Sequence, residues 1–370
     1  MRPRMSSKPQ IQIKIISRED QTPIGEINAP RKAIIKSGFG AQPRRAWLEL
    51  YNEQINAPLG LGDELHILIN QTACFRGRIR QVRIDSQGDF LTLFAEWDPS
   101  QEFNQTVSQE IQGLTATETI EALLVDSGMT YVPQPAHCVP FARLEFQEHP
   151  LLAAIDLMAK LAGNWRWDVD DDAALRLRPF GAVADHIVDL ERDQYSIDLW
   201  QHDQSNDVRI EIHAGLVNGE ELHASVASQE LTRSSVERIY ARPIVTQDAM
   251  NALLAAITMQ QNAPHYSHHI DLFGQGEAIQ PGDVAQFTFQ SALPLFPSGQ
   301  RFRVKMREIT YAHEAMRTRL HLTSAFESSD GYFDEMKIHT QPTAQYLDGR
   351  VGAFQLDVSA LDSDSHLDAA

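Results

Sequence analysis

The chain has 370 residues, 42% of them hydrophobic, and sets 50 Asp and Glu against 32 Lys and Arg for a formal net charge of -18. That size and apolar content exclude a disordered tail and imply two or three domains. Such acidity excludes general affinity for nucleic acid, which comes from Lys and Arg neutralising phosphates, although it also serves plain solubility.

The basic segment MRPRMSSKPQ, residues 1–10, reads as a flexible N-terminus. It leads into the alternating IQIKII rather than into an apolar core with a cleavage site, so a protein made and folded in the cytoplasm is expected. AWLELY gives a further strand, and Gly62-Asp63 then turns the chain into ELHILI, CFRGRIRQVRI and LTLFAEWD. These strands, with turns between them, suggest a small barrel or sandwich over 11–112, read as a first β-barrel.

The next block, 113–180, reads as helix, helix, hairpin. In GLTATETIEALLVDSG, Thr115 and Glu118 have capping-box spacing and Gly128 marks the stop. In HPLLAAIDLMAKLAG, Pro150 is expected at the first helical position and Gly163 at the end. Leu151, Ile155, Met158 and Ala162 line one face between them. This most apolar helix carries Asp156 and Lys160, and no stretch approaches the roughly 18 unbroken apolar residues of a membrane helix. Trp165, Trp167 and Val169, a turn at Asp170 to Asp172, and Leu175 and Leu177 predict a hairpin.

A second barrel is expected over 181–326. DVRIEIHA, ELHASV and HHIDLF read as strands, and a helix over 246–261 starts at Thr246 with Met250, Leu253, Leu254 and Ile257 on its apolar face. IQPGDVAQFTF and RFRVKMREITY follow, separated by the loop SALPLFPSGQ. From 327 to 370 Asp and Ser cluster without periodicity, as in a flexible or partner-ordered acidic tail.

The two barrels repeat one phrase. Gly62-Asp63 returns as Gly282-Asp283, and Phe75, Ile79 and Val82 lie at one constant displacement from Phe302, Met306 and Ile309. Leu93, Ala95 and Trp97 fall opposite Leu320, Leu322 and Ser324 at that same displacement. The three-residue step from Ile79 to Val82, and from Met306 to Ile309, breaks the period of two, so both copies should bend or carry a bulge there. The expected fold class is therefore mainly β with an α+β insertion, two related β-barrels around a small helix-helix-hairpin domain.

Chemistry is sparse. Cys74 and Cys138 have no CxxC spacing, which argues against a disulfide framework or a zinc knuckle, and both read as small buried or half-buried residues. His265, His268 and His269 are weak metal candidates: alternation puts His265 and His269 on one strand face and His268 on the other, with no carboxylate or Cys at a familiar ligand spacing. Asp168 with Asp170 to Asp172 looks like a calcium loop but lacks its central glycine and closing glutamate, and an exposed turn fits better. There is no GxSxG, HExxH or GxxxxGK[ST], and the glycines of SGFGAQ are not placed as a phosphate loop. No enzymatic activity, catalytic residue or cofactor is expected.

The order barrel, capped helix, apolar helix, Trp-rich hairpin, second barrel resembles the baseplate hub proteins of contractile-tailed phages. These are the late control protein D group, and the layout is most similar to the hub of Mu-like phages. The carrying stretches are LGLGDELHILINQTACFRGRIRQVRID with LTLFAEWD, LTATETIEALLVDSGM, EHPLLAAIDLMAKLAGNWRWDVDDDAALRLRP, and ERIYARPIVTQDAMNALLAAI leading into IQPGDVAQFTF. They span roughly 10–326. The acidic tail and the SALPLFPSGQ loop depart from the pattern.

The resemblance implies tail-tube-like barrels, two per chain, in a homotrimeric ring that adapts a six-fold tail tube to a three-fold spike. Its implied partners are a tail tube or tube-end protein above, a central spike below and wedge proteins around. DNA would pass without specific binding, nothing would insert stably in a membrane, and the site would be the virion tail baseplate, made in the host cytoplasm. Three other readings stay open. One is the hub part of a secretion or extracellular contractile injection system, which often fuses hub and spike in one chain, whereas no long β-repeat follows residue 326. Another is a carbohydrate-binding protein using Trp165 and Trp167, and the last is a peptidoglycan hydrolase.

Overall fold

The computed structural model describes residues 8–324 except 20, 41, 55–57, 86, 134, 136–139, 142–143, 163–164, 170–173, 180–183, 191–194, 202–207, 218–219, 228–234, 242–243, 263–265, 289–298 and 300. Cys138, His265, Gly163, the turn Asp170 to Asp172, most of the SALPLFPSGQ loop and the acidic tail lie outside the described residues.

The first repeat comprises β1 (Ile11–Ile16), β2 (Pro23–Ile27), β3 (Lys32–Gly38), β4 (Arg44–Tyr51), β5 (Glu64–Ile69), β6 (Thr72–Ile84) and β7 (Phe90–Trp97). In β1, β5 and β7 buried and half-buried residues alternate strictly. This is the pattern of a strand with one face on a core. Ile11, Ile13, Ile15, Leu65, Ile67, Ile69, Leu91, Leu93 and Cys74 share that core.

A short α1 (Pro99–Glu102) leads to β8 (Thr106–Ile111), α2 (Ala116–Leu124), β9 (Thr130–Tyr131), β10 (Leu144–Pro150), α3 (Leu151–Leu161), β11 (Trp165–Val169) and β12 (Ala174–Pro179). The capping box is formed: Glu118 N donates to Thr115 Oγ1 and Thr115 N donates to Glu118 Oε2 at 2.8 Å. Gly128, at φ +70, follows the helix. Thr115→Ala is expected to cost about 1 kcal/mol, read from the midpoint of urea denaturation.

Helix α3 starts one residue later than its sequence predicts. Pro150 closes β10 opposite Thr106, and Leu151 N donates to Gln105 O at 2.9 Å. Proline lacks a donor and biases its predecessor to extended backbone, so it can end a ladder as readily as start a helix. The expected apolar face is buried, with Leu151, Ile155, Met158 and Ala162 all at most 4% exposed. Trp167, opposite Leu177 in the β11–β12 hairpin, packs beside α3 and donates from Nε1 to Asp156 Oδ1 at 3.0 Å.

The remaining elements are β13 (His186–Asp189), β14 (Tyr195–Gln201), β15 (Val208–Val217), β16 (Glu220–Ala227), β17 (Ser235–Ala241), α4 (Gln247–Asn262), β18 (Tyr266–Phe273), β19 (Val284–Thr288), β20 (Arg301–Ala312) and β21 (Ala315–Ser324). Among the described residues thirteen strands form one sheet, in the order β14-β18-β21-β20-β3-β4-β7-β6-β5-β1-β2, with β19 branching from β20 and pairing in parallel with β13. The two repeats are therefore joined by a main-chain ladder, β20 to β3, from Met306 opposite Gly38 to Ala312 opposite Lys32.

The second repeat has its own core of Ile270, Leu272, Ala285, Phe287, Phe302, Val304, Leu320 and Leu322. Strands β15 to β17 form a separate sheet. The sequence grouped these strands and α4 with the second barrel, yet Ile212, Ala214, Ala241, Met250 and Leu253 lie in the cluster that contains α2, α3 and the hairpin. That central core thus draws on two separated stretches of chain.

On the β18–β21 ladder, Asp271 accepts from Arg319 Nε and Nη2 at 2.7 and 2.9 Å, and Arg317 stands 3.9 Å away. The Arg319 hydrogen bond holds the Asp271 carboxyl below its ordinary 3.8, while burial and then the neighbouring His269 push His321 below 6.5. In each case the unfolded chain takes up the proton first. Stability is expected to fall as pH drops below about 6.5, from His321, and again through the carboxylate range, from Asp271. Asp271→Asn should flatten the lower limb in thermal melts across pH 3 to 7.

Candidate functional site

The two Gly-Asp turns are built alike. In the first, Gly62 has φ +95, its N donates to Ile79 O at 2.8 Å, and Ile79 N returns a bond to Asp63 O at 2.8 Å. In the second, Gly282 has φ +89, its N donates to Val304 O at 2.8 Å, and Val304 N returns a bond to Asp283 O at 2.9 Å. Each buried aspartate accepts from the main chain three residues back, Asp63 from Gly60 N at 2.6 Å and Asp283 from Gln280 N at 2.7 Å. A positive φ favours glycine, and an aspartate that caps its own turn fixes the approach of the next strand.

Both strands that follow carry a bulge. The ladder of β6 with β7 shifts between Ile79 and Gln81, and that of β20 with β21 between Val304 and Met306. The first copy bends inside the step from Ile79 to Val82 that its spacing predicts, but the second bends before Met306 and not between Met306 and Ile309, so the equivalence within β6 and β20 is two residues out of step with the sequence alignment. Val304, not Met306, takes the place of Ile79, and Phe302 takes that of Gly77, which pairs with Leu65 as Phe302 pairs with Ala285. The cause is Phe75. A Cβ on Gly77 would stand 2.6 Å from the tip of the Phe75 ring, so this ring covers the glycine, and the aromatic signal is displaced by one strand period. The later alignment stands in the ladders, where Ala95 and Leu322 face Ile79 and Val304. Val82 and Met306 are half-buried, and Ile309 is buried in the core of the first repeat.

Where Val82 pairs with Leu93 in the first repeat, Arg307 pairs with Leu320 in the second. Arg307 is fully buried. Nη1 donates to Glu277 O at 2.9 Å and Ile279 O at 3.0 Å, both in the second repeat, and Nη2 donates to Cys74 O of β6 at 3.1 Å. Asn70 Nδ2 adds a bond to Glu277 Oε1 at 2.8 Å, and the Arg303 guanidinium lies 4.0 Å over the Phe39 ring. One arginine therefore staples the repeats beside their shared ladder. The available signal was a charge at an inward position, in register with Ile309 and Tyr311.

The second turn also seats the hairpin. Arg176 is paired with Asp168, stands 3.7 Å from Asp283 Oδ1, and lies next to Pro281 O. His186 Nε2 is 2.8 Å from Asp283 Oδ2. A Cβ on Gly282 would stand 3.0 Å from both Asp168 Cγ and Phe39 Cδ2, so first repeat, hairpin and second repeat meet at this residue. The first turn instead meets Arg18, whose N donates to Asp63 Oδ1 at 3.0 Å. Asp168 is thus engaged by an arginine rather than turned to solvent.

His268 and His269 lie on opposite faces of β18. His268 is buried against the Phe302 ring at 5.1 Å, and His269 meets His321 at 4.2 Å. They do not converge on one ion. Among the described residues, potential metal ligands gather elsewhere, at Glu211, His213 and His223 on β15 and β16. No described helix is long and apolar enough to cross a membrane.

No protein-family profile and no curated protein matches the chain. Solved structures do share its fold. A tail protein from Neisseria meningitidis MC58 superposes with a TM-score of 0.61 at 12% identity, covering 89% of this chain and 99% of its own. The 43 kDa tail protein of prophage MuSo2 from Shewanella oneidensis gives 0.59 at 12% identity, covering 88% and 99%. The Escherichia coli c3393 protein, a component of the type VI secretion system with structural similarity to T4 bacteriophage tail proteins gp27 and gp5, gives 0.51 at 10% identity, covering 86% and 77%.

Proposed function

We propose that this chain is a structural hub of a contractile tail, a ring of three copies in which each copy contributes two tube-like barrels. The observation that carries the reading is the doubled Gly-Asp turn, with the same hydrogen bonds and the same bulge in both repeats, inside a fold shared over most of the chain with tail proteins, one of them from a prophage. A head-to-tail ring closes only if the rotation per step fits. Two similar units per chain make six nearly equivalent steps of about 60° from three chains, presenting six-fold contacts to a tail tube and three-fold contacts to a spike.

In this reading the β20–β3 ladder and Arg307 set the angle within a chain, and wedge proteins surround the ring. The role is mechanical rather than enzymatic. Once the spike leaves, the ring becomes part of the DNA channel of a virion baseplate assembled from protein made in the host cytoplasm. The net charge of -18 supports passage without retention, because a surface poor in Lys and Arg releases few counterions from DNA. The likeness to c3393 supports a second setting, the hub of a secretion apparatus, with the same ring geometry.

Native mass spectrometry of the full chain, alone and mixed with its spike, tests the proposal. A mass near three times 41.6 kDa, with a central channel on imaging, is expected. A monomer that persists with spike present would sink the ring, and tight retention of duplex DNA at physiological salt would sink the conduit.

A further inference from the structure

The outward face of the β15–β16 hairpin carries the tripeptide Glu-X-His on both strands, Glu211-Ile-His213 and Glu221-Leu-His223. The register sets His213 directly opposite His223, with ring centroids 4.9 Å apart. Alternation then puts Glu211 on the same face as His213, while Ile212 and Ala214 point into the central core. One ligand atom from each of Glu211, His213 and His223 lies within 4.8 Å of the other two. Glu221 completes the arrangement, its Oε2 standing 3.2 Å from His213 Nδ1.

We infer that this face is a zinc-class metal site, with Glu211, His213 and His223 as ligands and Glu221 as the group that orients His213. Two imidazoles and a carboxylate are a borderline-soft donor set, which suits zinc and its transition-metal neighbours over calcium or magnesium. With bonds of about 2.1 Å, tetrahedral ligands stand about 3.4 Å apart, so small side-chain rotations close the group on an ion. The Glu221 carboxylate on Nδ1 fixes the tautomer that offers Nε2, the carboxylate–histidine–metal relation found around bound zinc. His223 is exposed, whereas His213 and Glu211 are half-buried and His213 Nε2 is itself covered, so an ion enters from the His223 side and keeps a fourth position for water or another chain's ligand.

Without metal, Glu211 is held by Arg238 Nε at 3.3 Å, with Arg209 at 3.8 Å. An ion must compete with these arginines, whose side chains are 59% and 47% exposed and can swing into solvent. An occupied site ties β15 to β16, an outer strand of its three-stranded sheet. The inference does not depend on the hub reading, since it concerns one hairpin of one chain.

The test is a zinc titration of the full chain, purified without a histidine tag, against a chromophoric chelator. One zinc per chain is expected, resistant to excess magnesium and tightening from acid to neutral pH, because imidazole binds metal only as the neutral base. His223→Ala and Glu211→Gln should each weaken binding at least tenfold, and Glu221→Gln by about tenfold. His269→Gln, at the other histidine pair, should leave it unchanged. The four hairpin side chains replaced are half-buried or exposed, so circular dichroism matching the parent will separate loss of the site from loss of the fold. Absence of binding at about 100 μM zinc, or binding that survives in His213→Ala/His223→Ala, overturns the inference.

Discussion

Arg307→Ala is expected to lower stability by about 3 to 5 kcal/mol, because the buried carbonyls of Ile279 and Cys74 and the part-buried carbonyl of Glu277 lose their donor together. An unsatisfied buried polar group costs about 1–3 kcal/mol, and bonds from a charged donor lie at the stronger end. Arg307→Lys should recover only part of this. An ammonium is a compact point charge, whereas the guanidinium fork spans two carbonyls of the second repeat and one of the first. The measurement is urea denaturation followed by hydrogen exchange read separately on peptides of the first repeat and of the second. Coincident transitions at a lower midpoint would mean that the ladder alone keeps the repeats cooperative. Separated transitions would show that the arginine couples them, and a loss below about 1 kcal/mol would remove the staple from the account.

Phe75→Ala should cost about 3 to 5 kcal/mol by the usual measure for an emptied aromatic site, since the ring is 1% exposed and covers Gly77. Gly77→Phe alone should also destabilise, because its Cβ would collide with that ring and stand 3.0 Å from the Glu96 main chain. Combining the two moves the aromatic to the position that Phe302 holds in the second repeat. The double variant is expected to regain at least half of the loss summed over the single changes, a coupling between touching sites that a thermodynamic cycle reads directly. Simple additivity would mean that the two repeats do not fill their cores in interchangeable ways.

Local devices were legible in the sequence wherever one interaction decided the geometry. The Thr115 and Glu118 capping box, the two Gly-Asp turns and the Trp167 hairpin each need only a few neighbouring residues, and each forms. The slip between β6 and β20 shows the limit of matching by residue type. Phe75 and Phe302 are both buried aromatics near a bulge, yet one lies over a glycine that the other replaces, and only the ladder partners Leu65 and Ala285 tell them apart. Pro150 had two legitimate positions, the end of a strand or the start of a helix, and pairing with Thr106 decided it. Arg307 and the twin Glu-X-His tripeptides carry no signal in the apolar periodicity by which a strand declares its faces. The same period places a charge on a core face and two histidines on an outer one. That α4 and β15 to β17 close over α2 and α3 depends on contacts between distant stretches, for which no local pattern speaks.

The shared strand β20 also orders events in time. Ile309, Tyr311 and Met316 are buried in the same core as Ile11, Ile13 and Ile15, so the first repeat is finished by residues near the far end of the chain. A ribosome making this protein releases β1 to β7 with β3 still an open edge, and that edge stays open until β20 has emerged. Open edges recruit foreign strands, and closing so long a loop is slow compared with local pairing. The nascent chain therefore spends most of its synthesis with an incomplete first half, and any truncation before β20 releases a product with an adhesive edge. The order of the strands thus makes completion of the first repeat a late event, because a fragment that ends before β20 lacks the strand that covers the β3 edge.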